Sequence, residues 1–308
     1  MVGSYATGLT MKVKRLPSTG ETVLGAGYRV DFGGKGSNQA VGCARLGART
    51  SFIARLGKDD YAEKALKLYR EEAVDIRWVK QTSDAPTGVG FILVEEESGK
   101  NCIALDPGAN ELLTAAHVNE CEAAFETAAV VLTQLEIPAD AAEAALARGR
   151  ARGAITILNP APVRPLSAKM LALVDVLTPN ETEARLLCGC SPDATMGPEE
   201  MGRELIRKGV RNVVMTLGEN GALIVTASSV TNVPALKMTV ADTTGAGDAF
   251  NAGLAVALAS GEELESAVKL GIVTGGLAVT REGVIPALPR REEVLMFFRR
   301  KGETAPGW

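Results

Sequence analysis

The sequence predicts an α/β fold with a largely parallel sheet and a second, smaller sheet beside it. From about residue 129 the chain alternates short apolar runs with segments of helical periodicity, which is typical of βαβ units. Before that point, two segments have the turn residues and extended character of hairpins. The chain has 308 residues, 46% of them hydrophobic and 23% charged, which suits one large globular domain or two smaller ones.

The two hairpin-like segments predict the smaller sheet. The first is LTMKVKRLPSTGETVLGAGYRVDF, residues 9–32, with a turn at STG, and the second is PTGVGFILVEEESGKNCIALDPG, residues 86–108, with a turn at ESGK. Helical segments separate them, so we expect them to pair in space outside the main layer. A small sheet beside an α/β core can close over a ligand as a lid.

Four apolar runs predict the parallel strands of the main layer: AAVVLTQLE, AITILNP, VDVLTPNE and NVVMTLG. The segments PADAAEAALARGRARG, PNETEARLLCG and PEEMGRELIRKG have helical periodicity, with Pro or Asn near their starts and Gly after their ends. Each run ends in a polar residue or Gly: Glu136, Asn159, Asn180 and Gly218. Singly, each is typical of a turn. Together they predict a ligand site, because ligands bind outside the carboxyl ends of parallel strands.

Composition excludes several classes of function. The net charge of -4 disfavours nucleic-acid and membrane-surface partners. No apolar run is long enough to span a bilayer, and MVGSYATGLT lacks the regions of a signal peptide, so we expect a cytoplasmic protein. The five cysteines are scattered and predict reduced thiols. His117 is the only histidine, which excludes a multi-histidine metal site and disfavours a histidine-based triad.

The segment DTTGAGDAF, residues 242–250, predicts a glycine-rich loop that leads into a helix. Unpaired N–H groups and partial positive charge make the first turn of a helix suitable for an anion. Glycines allow a ligand close to that backbone. The residues alone leave two roles open for Asp248, a helix cap or a catalytic carboxylate.

A second glycine-bearing segment is DFGGKGSNQAVGCARLGA, residues 31–48. Gly33, Gly34 and Gly36 bracket Lys35, and Ser37 and Asn38 are predicted to open a helix. Its spacing fits neither a P-loop nor the dinucleotide fingerprint. Ammonium and amide donors suit the hydroxyls of a polar ligand, whereas the alternative is a capped helix with a solvated Lys.

These two segments together resemble the two signatures of the ribokinase-like (PfkB-type) carbohydrate kinases, and within that family the ribokinases most. The motifs LTQLEIP, LNPAP, LTPNETEA, TLGENGA and AVTREGVIPALP match in the same order, so the resemblance covers nearly the whole chain. It implies a Rossmann-like three-layer α/β/α core, made of residues 1–8, 33–86 and 107–308. It also implies a small β-sheet lid, made of residues 9–32 and 87–106, through which two subunits would form a homodimer.

The resemblance implies an ATP-dependent sugar kinase that uses Mg²⁺ and K⁺. Asp248 would be the catalytic base, and Gly245, Ala246 and Gly247 would form the anion hole for the transferring phosphoryl group. Asn180 and Glu183 would act on Mg²⁺ through water. The implied nucleotide-binding residues are Asn180, Thr216, Leu217, Gly218, Glu219, Gly221 and Gly247. The implied K⁺ ligands, mostly backbone carbonyls, are Asp242, Thr244, Ala278, Arg281, Gly283 and Ala287.

The implied sugar-binding residues are Gly34, Lys35, Asn38, Glu136 and Asp248, but the first strand departs from the family pattern. Ala6 and Gly8 stand where the family has an Asn and an Asp that bind sugar hydroxyls. Losing that carboxylate removes about 1.5–3 kcal/mol from ribose binding, unless Thr7 or Thr10 compensates. Ribose is the first candidate by overall similarity. Another pentose or hexose, a nucleoside, or a catalytically silent sugar-binding relative are the alternatives.

Overall fold

The structure is a computed structural model that describes residues 1–190 and 196–308. The strands are β1 (Ala6–Val13), β2 (Gly25–Gly33), β3 (Ala54–Gly57), β4 (Val79–Thr82), β5 (Val89–Glu95), β6 (Asn101–Asp106), β7 (Val130–Thr133), β8 (Ile155–Leu158), β9 (Val176–Leu177), β10 (Asn212–Thr216), β11 (Ala222–Val225) and β12 (Val230–Val233). The α-helices are α1 (Lys35–Arg45), α2 (Asp60–Glu71), α3 (Ala115–Glu120), α4 (Ala139–Ala151), α5 (Ala168–Ala172), α6 (Glu181–Cys188), α7 (Pro198–Arg207), α8 (Ala246–Ala259), α9 (Leu264–Ala278) and α10 (Arg291–Lys301).

The main sheet has six strands in the order β12-β11-β10-β9-β8-β7. Strands β7 to β10 are parallel, as the apolar runs predict, while β11 and β12 are antiparallel to their neighbours. Isolated bridges join Val2 to Thr133 on one side and to Ile53 on the other, next to the parallel pair β3 and β4. The N-terminal residues therefore lie beside the end of β7, near the start of the GGKG segment.

Helices cover both faces of this sheet, because successive strand residues point to opposite sides. Val131 and Leu158 pack in one apolar cluster with α4, α5, α6 and α7. Their neighbours Leu132 and Ile157 pack in another with α8, α9 and α10. The three-layer α/β/α prediction is confirmed. None of the helices in the described ranges combines the length and apolar character that crossing a lipid bilayer requires.

The two hairpin-like segments form a separate sheet of four strands in the order β2-β1-β5-β6. We call it the small sheet. Its central pair, β1 and β5, is parallel, and each of these strands has an antiparallel partner at the edge. The strands extend beyond the predicted first segment, from Ala6 to Gly33, so the start of the chain contributes to both sheets.

The register divides the small sheet into two faces. Gly8 lies opposite Asp31 and Gly90, and Leu9 lies opposite Val30 and Phe91. Because directly opposed residues share a face, Gly8 and Leu9 belong to different faces. We call the face with Gly8 the cleft face, since Arg29, two residues before Asp31 on that face, comes within 3.9 Å of Glu282 in the loop after α9. The face with Leu9 is the outer face.

Candidate active site

Asp248 lies in the first turn of α8 and is only 6% exposed. Its Oδ2 accepts a hydrogen bond of 2.7 Å from Nδ2 of Asn38, and its Oδ1 accepts one of 2.8 Å from Nε2 of Gln39. No side-chain cap is formed at the start of α8, so the carboxylate does not serve as the helix cap. Instead, two amide groups from α1 hold the carboxylate in one orientation, which also fixes the direction of its remaining lone pairs.

The start of α8 provides backbone donors beside this carboxylate. Gly245 has φ 80°, in the left-handed region, and turns the chain into the helix. Within the described part of the chain, no backbone acceptor pairs with the N–H of Gly247 or of Asp248. A Cβ at Gly247 would meet no atom within 4 Å, so the start of the helix is open beside this residue. The arrangement suits an anion such as a phosphoryl group.

The GGKG segment lies directly on the backbone that precedes β1. Gly34 has φ 84°, and a Cβ there would lie 2.6 Å from Cα of Tyr5. A Cβ at Gly36 would lie 2.5 Å from the backbone N of Ser4. Side chains are therefore excluded at both positions. Helix α1 begins at Lys35 rather than at Ser37 as predicted, because Gly34 in this conformation starts the helix earlier.

Glu136 and Lys35 meet at the same edge of the main sheet. Oε2 of Glu136 accepts hydrogen bonds from the backbone N of Lys35, at 2.8 Å, and from Oγ of Ser4, at 2.6 Å. Burial alone would lower the pKa of the Lys35 ammonium group, but the carboxylates of Asp248, Glu136 and Glu183 outweigh it and raise this pKa. Lys35 therefore stays positively charged among three acidic side chains.

Gln39 is not among the residues predicted from the sequence, although it is fully buried at the centre of the cluster. Besides Asp248, its Nε2 also donates to Oδ1 of Asn159, at 3.1 Å, and its Oε1 accepts from Nε2 of Gln134. Asn159 in turn donates to the carbonyl of Thr178. The polar residues after the strands were the available sequence signal for Gln39. Gln134 follows β7 and Asn159 follows β8, and two buried polar side chains of this kind require a polar partner.

Asn180 and Glu183 form a capping box at the start of α6. Oδ1 of Asn180 accepts from the N–H of Glu183 at 2.8 Å, and Oε2 of Glu183 accepts from the N–H of Asn180 at 2.9 Å. Burial raises the pKa of the Glu183 carboxyl group. Across residues 1–190 and 196–308, no three His, Cys, Asp or Glu side chains are grouped so that they could hold a metal ion directly.

The TLGENG segment follows β10 next to this capping box. The N–H of Thr216 donates to the carbonyl of Pro179 at 2.9 Å, which joins the two segments. Leu217 and Gly221 close the loop with a 2.8 Å hydrogen bond around the short 3₁₀ helix that includes Glu219. Gly218 has φ 56° and Gly221 has φ 94°, so both positions favour glycine. Most of the predicted nucleotide-binding residues therefore share one strand end.

Asp242 joins the loop before α8 to the loop after α9. Its Oδ1 accepts from the N–H of Thr244 at 2.9 Å, and its Oδ2 accepts from the N–H of Gly283 at 3.0 Å. Burial would raise the pKa of this carboxyl group, but these hydrogen bonds and the charge of Arg29 lower it. The structure thus brings Asp242, Thr244 and Gly283 together. Ala278 lies at the end of α9, Arg281 follows it, and Ala287 is buried in the 3₁₀ turn Ile285–Ala287.

Ala6 and Gly8 both lie on the cleft face of β1 and carry no polar side-chain atom. Thr7 belongs to the opposite face, and its buried hydroxyl is 3.0 Å from the hydroxyl of Tyr5, so it does not compensate. Thr10 lies on the cleft face, where its hydroxyl donates to Oδ2 of Asp31 at 3.3 Å.

Two surface depressions lie away from this cluster. One, of about 480 Å³, is lined by Asn119, Glu143 and Lys169, and the other, of about 270 Å³, by Asp175 and Arg211. Their charged side chains form ion pairs: Lys169 with Glu143, and Arg211 with Asp175. The edge of the sheet with Asp248 therefore remains the candidate active site.

Comparison with known proteins identifies relatives of the whole chain. The sequence pattern of the pfkB family carbohydrate kinases matches residues 1–291. A ribokinase from Haemophilus influenzae is 33% identical over 298 residues, which cover 97% of each chain. A deoxyribokinase from Salmonella typhi is 29% identical over 95% of this chain and 96% of its own. The structure of Arabidopsis thaliana ribokinase complexed with ribose and ATP superimposes with a TM-score of 0.90, at 28% identity and 97% coverage of both chains.

Proposed function

Because this chain belongs to the pfkB family of carbohydrate kinases, we propose that it transfers the γ-phosphoryl group of ATP to a primary hydroxyl group of a small sugar. Ribose is the first candidate acceptor, and ribose 5-phosphate would be its product. The observation that carries the proposal is the buried Asp248 carboxylate, held by two amides beside the open N–H groups of α8.

In the proposed mechanism, Asp248 accepts the proton of the acceptor hydroxyl as the oxygen attacks the γ-phosphorus. The bond from that phosphorus to the β–γ bridging oxygen breaks, and ADP leaves. The N–H groups of Gly247 and Asp248 stabilise the negative charge on the transferring group. Lys35, kept protonated by its acidic neighbours, adds positive charge near the reacting atoms. The side chains of Asn38 and Gln39 keep the carboxylate oriented toward the acceptor.

The small sheet is proposed to act as a lid, with residues 9–32 and 87–106 as its two segments. Its cleft face carries Arg29 near the loop after α9, which supports closure toward the catalytic residues. A closed lid would exclude water and so limit hydrolysis of ATP.

Mg²⁺ is proposed to act near Asn180 and Glu183. Oxygen ligands suit this ion, and it keeps several water ligands in most sites, which agrees with an amide and a carboxylate that are already engaged in a capping box. When bound, Mg²⁺ neutralises phosphate charge. Glu183 and Asn180 would orient its water ligands.

K⁺ is proposed to bind between the loops joined by Asp242, where Thr244 and Gly283 adjoin this carboxylate. Carbonyl ligands do not depend on the identity of the side chain, so Ala287 can contribute as well as a larger residue. The ion would supply charge near the start of α8. Replacing KCl with a bulky organic cation salt tests this requirement, and unchanged turnover would contradict it.

The proposed activity is tested by measuring ADP release from Mg²⁺-ATP in KCl. The acceptors are pentoses, hexoses, sugar phosphates and nucleosides, and Asp248→Asn is the matched variant. We expect turnover of a small sugar that falls at least about 100-fold in the variant, the lower range for general-base catalysis. Equal turnover by the variant, or none with any acceptor, would refute the assignment. Binding of a sugar without ADP release would favour a silent sugar-binding relative.

A second acceptor class is favoured because Ala6 and Gly8 carry no polar side-chain atom on the cleft face of β1. The similarity to a deoxyribokinase extends over nearly the whole chain, so an acceptor that lacks one ribose hydroxyl is the first alternative. Another pentose, a hexose or a nucleoside would follow. A higher kcat/KM for deoxyribose than for ribose would select this alternative.

We also propose a homodimer through the outer face of the small sheet. Val30 and Phe91 flank Leu9 on this face and are exposed, as is Tyr28 on the same edge strand. Adjacent exposed apolar side chains of this kind mark interaction surfaces. Light scattering should give the mass of two chains, and Phe91→Asp should give the mass of one. A monomeric wild-type protein would refute this proposal.

A further inference from the structure

Asp31 of β2 lies directly opposite Gly8 of β1 on the cleft face of the small sheet. A Cβ built on Gly8 would be 3.7 Å from Cβ of Asp31 and 3.5 Å from Cδ1 of Ile92, which are ordinary contact distances. The absence of a side chain at Gly8 therefore leaves open space beside the Asp31 carboxylate. This carboxylate adjoins the cleft and is about one third exposed.

The Asp31 carboxylate is oriented by its neighbours but keeps one oxygen available. Oδ2 accepts from Nε of Arg29 at 2.8 Å and from Oγ1 of Thr10 at 3.3 Å. Oδ1 has no hydrogen-bond partner in the part of the chain that the structure describes. A carboxylate oxygen of this kind accepts strongly from a hydroxyl group.

The charges around Asp31 bear on the kind of acceptor. Arg29 lies on this part of the cleft face, and its charge is balanced by Asp31 and by Glu282, 3.9 Å away. An anionic acceptor would therefore approach a patch with no net positive charge. A neutral acceptor is not repelled by these charges, and its hydroxyl groups can donate to the free oxygen.

We propose that Asp31 is a specificity-determining residue that accepts hydrogen bonds from hydroxyl groups of the sugar. In this arrangement β2 supplies the carboxylate for the cleft face, while Gly8 of β1 supplies the space. The acceptor is then a neutral polyhydroxy compound rather than a sugar phosphate. This inference rests on the proposed kinase activity.

The experiment compares steady-state kinetics of the wild type, Asp31→Ala and the double variant Gly8→Asp/Asp31→Ala. For the best neutral acceptor of the wild type, Asp31→Ala should raise KM about 10- to 100-fold and leave the KM for ATP within twofold. The double variant returns a carboxylate to the same space from the neighbouring strand, and should recover at least part of the lost affinity. Asp31→Ala also frees Arg29, so activity with fructose 6-phosphate relative to fructose should increase.

Glu95→Gln is the matched control, since this carboxylate lies on the outer face of the same sheet, opposite Val13. It should leave both KM values unchanged. An acceptor KM for Asp31→Ala within twofold of the wild type would refute the inference, as would an equal rise in the KM for ATP. If the wild type phosphorylates no sugar at all, the proposed function fails and this inference fails with it. Sugar turnover with an insensitive Asp31 overturns the inference alone.

Discussion

Replacement of Gln39 by Met should show how far the buried amide network holds the Asp248 carboxylate, which we propose as the catalytic base. The two side chains have similar length, but Met has no N–H groups and no carbonyl oxygen. The substitution removes the 2.8 Å bond to Asp248, the 3.1 Å bond to Asn159 and the bond from Gln134. All three partners are buried, so each loses a hydrogen bond that solvent does not replace.

The cost can be worked out bond by bond. The bond to the carboxylate contributes about 1.5–3 kcal/mol, and each neutral bond about 1 kcal/mol. Burial of the Met side chain recovers about 1 kcal/mol. The free energy of unfolding of Gln39→Met should therefore fall by about 2.5–4 kcal/mol. Because Asn38 would be the one side-chain donor left to Asp248 among residues 1–190 and 196–308, kcat should fall about 10- to 100-fold through loss of orientation.

Urea denaturation and ADP release measure the two effects. Gln81→Met is the matched control, since the side chain of Gln81 bonds to the carbonyl of Gly57 and to Glu63, away from the site. It should change the free energy of unfolding by less than about 1 kcal/mol and leave kcat unchanged. A Gln39→Met enzyme with kcat within twofold of the wild type would show that Asn38 alone suffices to orient Asp248. An unchanged free energy of unfolding would refute the stability reasoning.

Three further predictions concern glycines and the single histidine. Gly247→Ala should stabilise α8 by about 0.5–1 kcal/mol, because the new Cβ meets no atom within 4 Å. The same substitution should lower kcat at least about tenfold, because the methyl group would occupy space proposed for the transferring anion. An undiminished kcat would contradict the proposed place of the anion. Gly36→Ala should instead abolish soluble expression or lower the thermal midpoint strongly, since its Cβ would lie 2.5 Å from the backbone N of Ser4, and a normal midpoint would contradict this. Burial lowers the pKa of His117 to about 4, from 6.5 in the unfolded chain, so the unfolded chain binds more protons between these values. The free energy of unfolding should fall as the pH falls through that window, by at most about 1.4 kcal/mol per pH unit from this group. The loss should be smaller in His117→Leu, and equal pH dependence of the two proteins would refute it.

The sequence by itself determined the fold class, because hydrophobic periodicity is a local property of the chain. The runs around Val131 and Ile157 could be assigned to parallel strands, and their alternation supplied both helix-covered faces. Element boundaries depend on contacts that are distant in sequence. The start of α1 depends on the left-handed conformation of Gly34, which is imposed by the backbone at Tyr5, far away in sequence.

The sequence also pointed to Asp248, but left helix capping and catalysis open. Only the tertiary structure decided that the carboxylate forms no cap, because its partners Asn38 and Gln39 are about 210 positions away along the chain. Gln39 itself had no local signal of function, since a polar residue on a short helix is indistinguishable from a surface residue until its neighbours are known.

The cleft face of the small sheet best separates what the sequence determined from what the tertiary structure decided. The sequence alone identified Gly8 as a position without a carboxylate. The register between β1 and β2 then brought Asp31 opposite it, although 22 residues separate the two in the chain numbering. The periodicity of a single strand can be read from the sequence, whereas the pairing of strands depends on the packing of the whole sheet. For that reason the position of Asp31 opposite Gly8 was decided only by the tertiary structure.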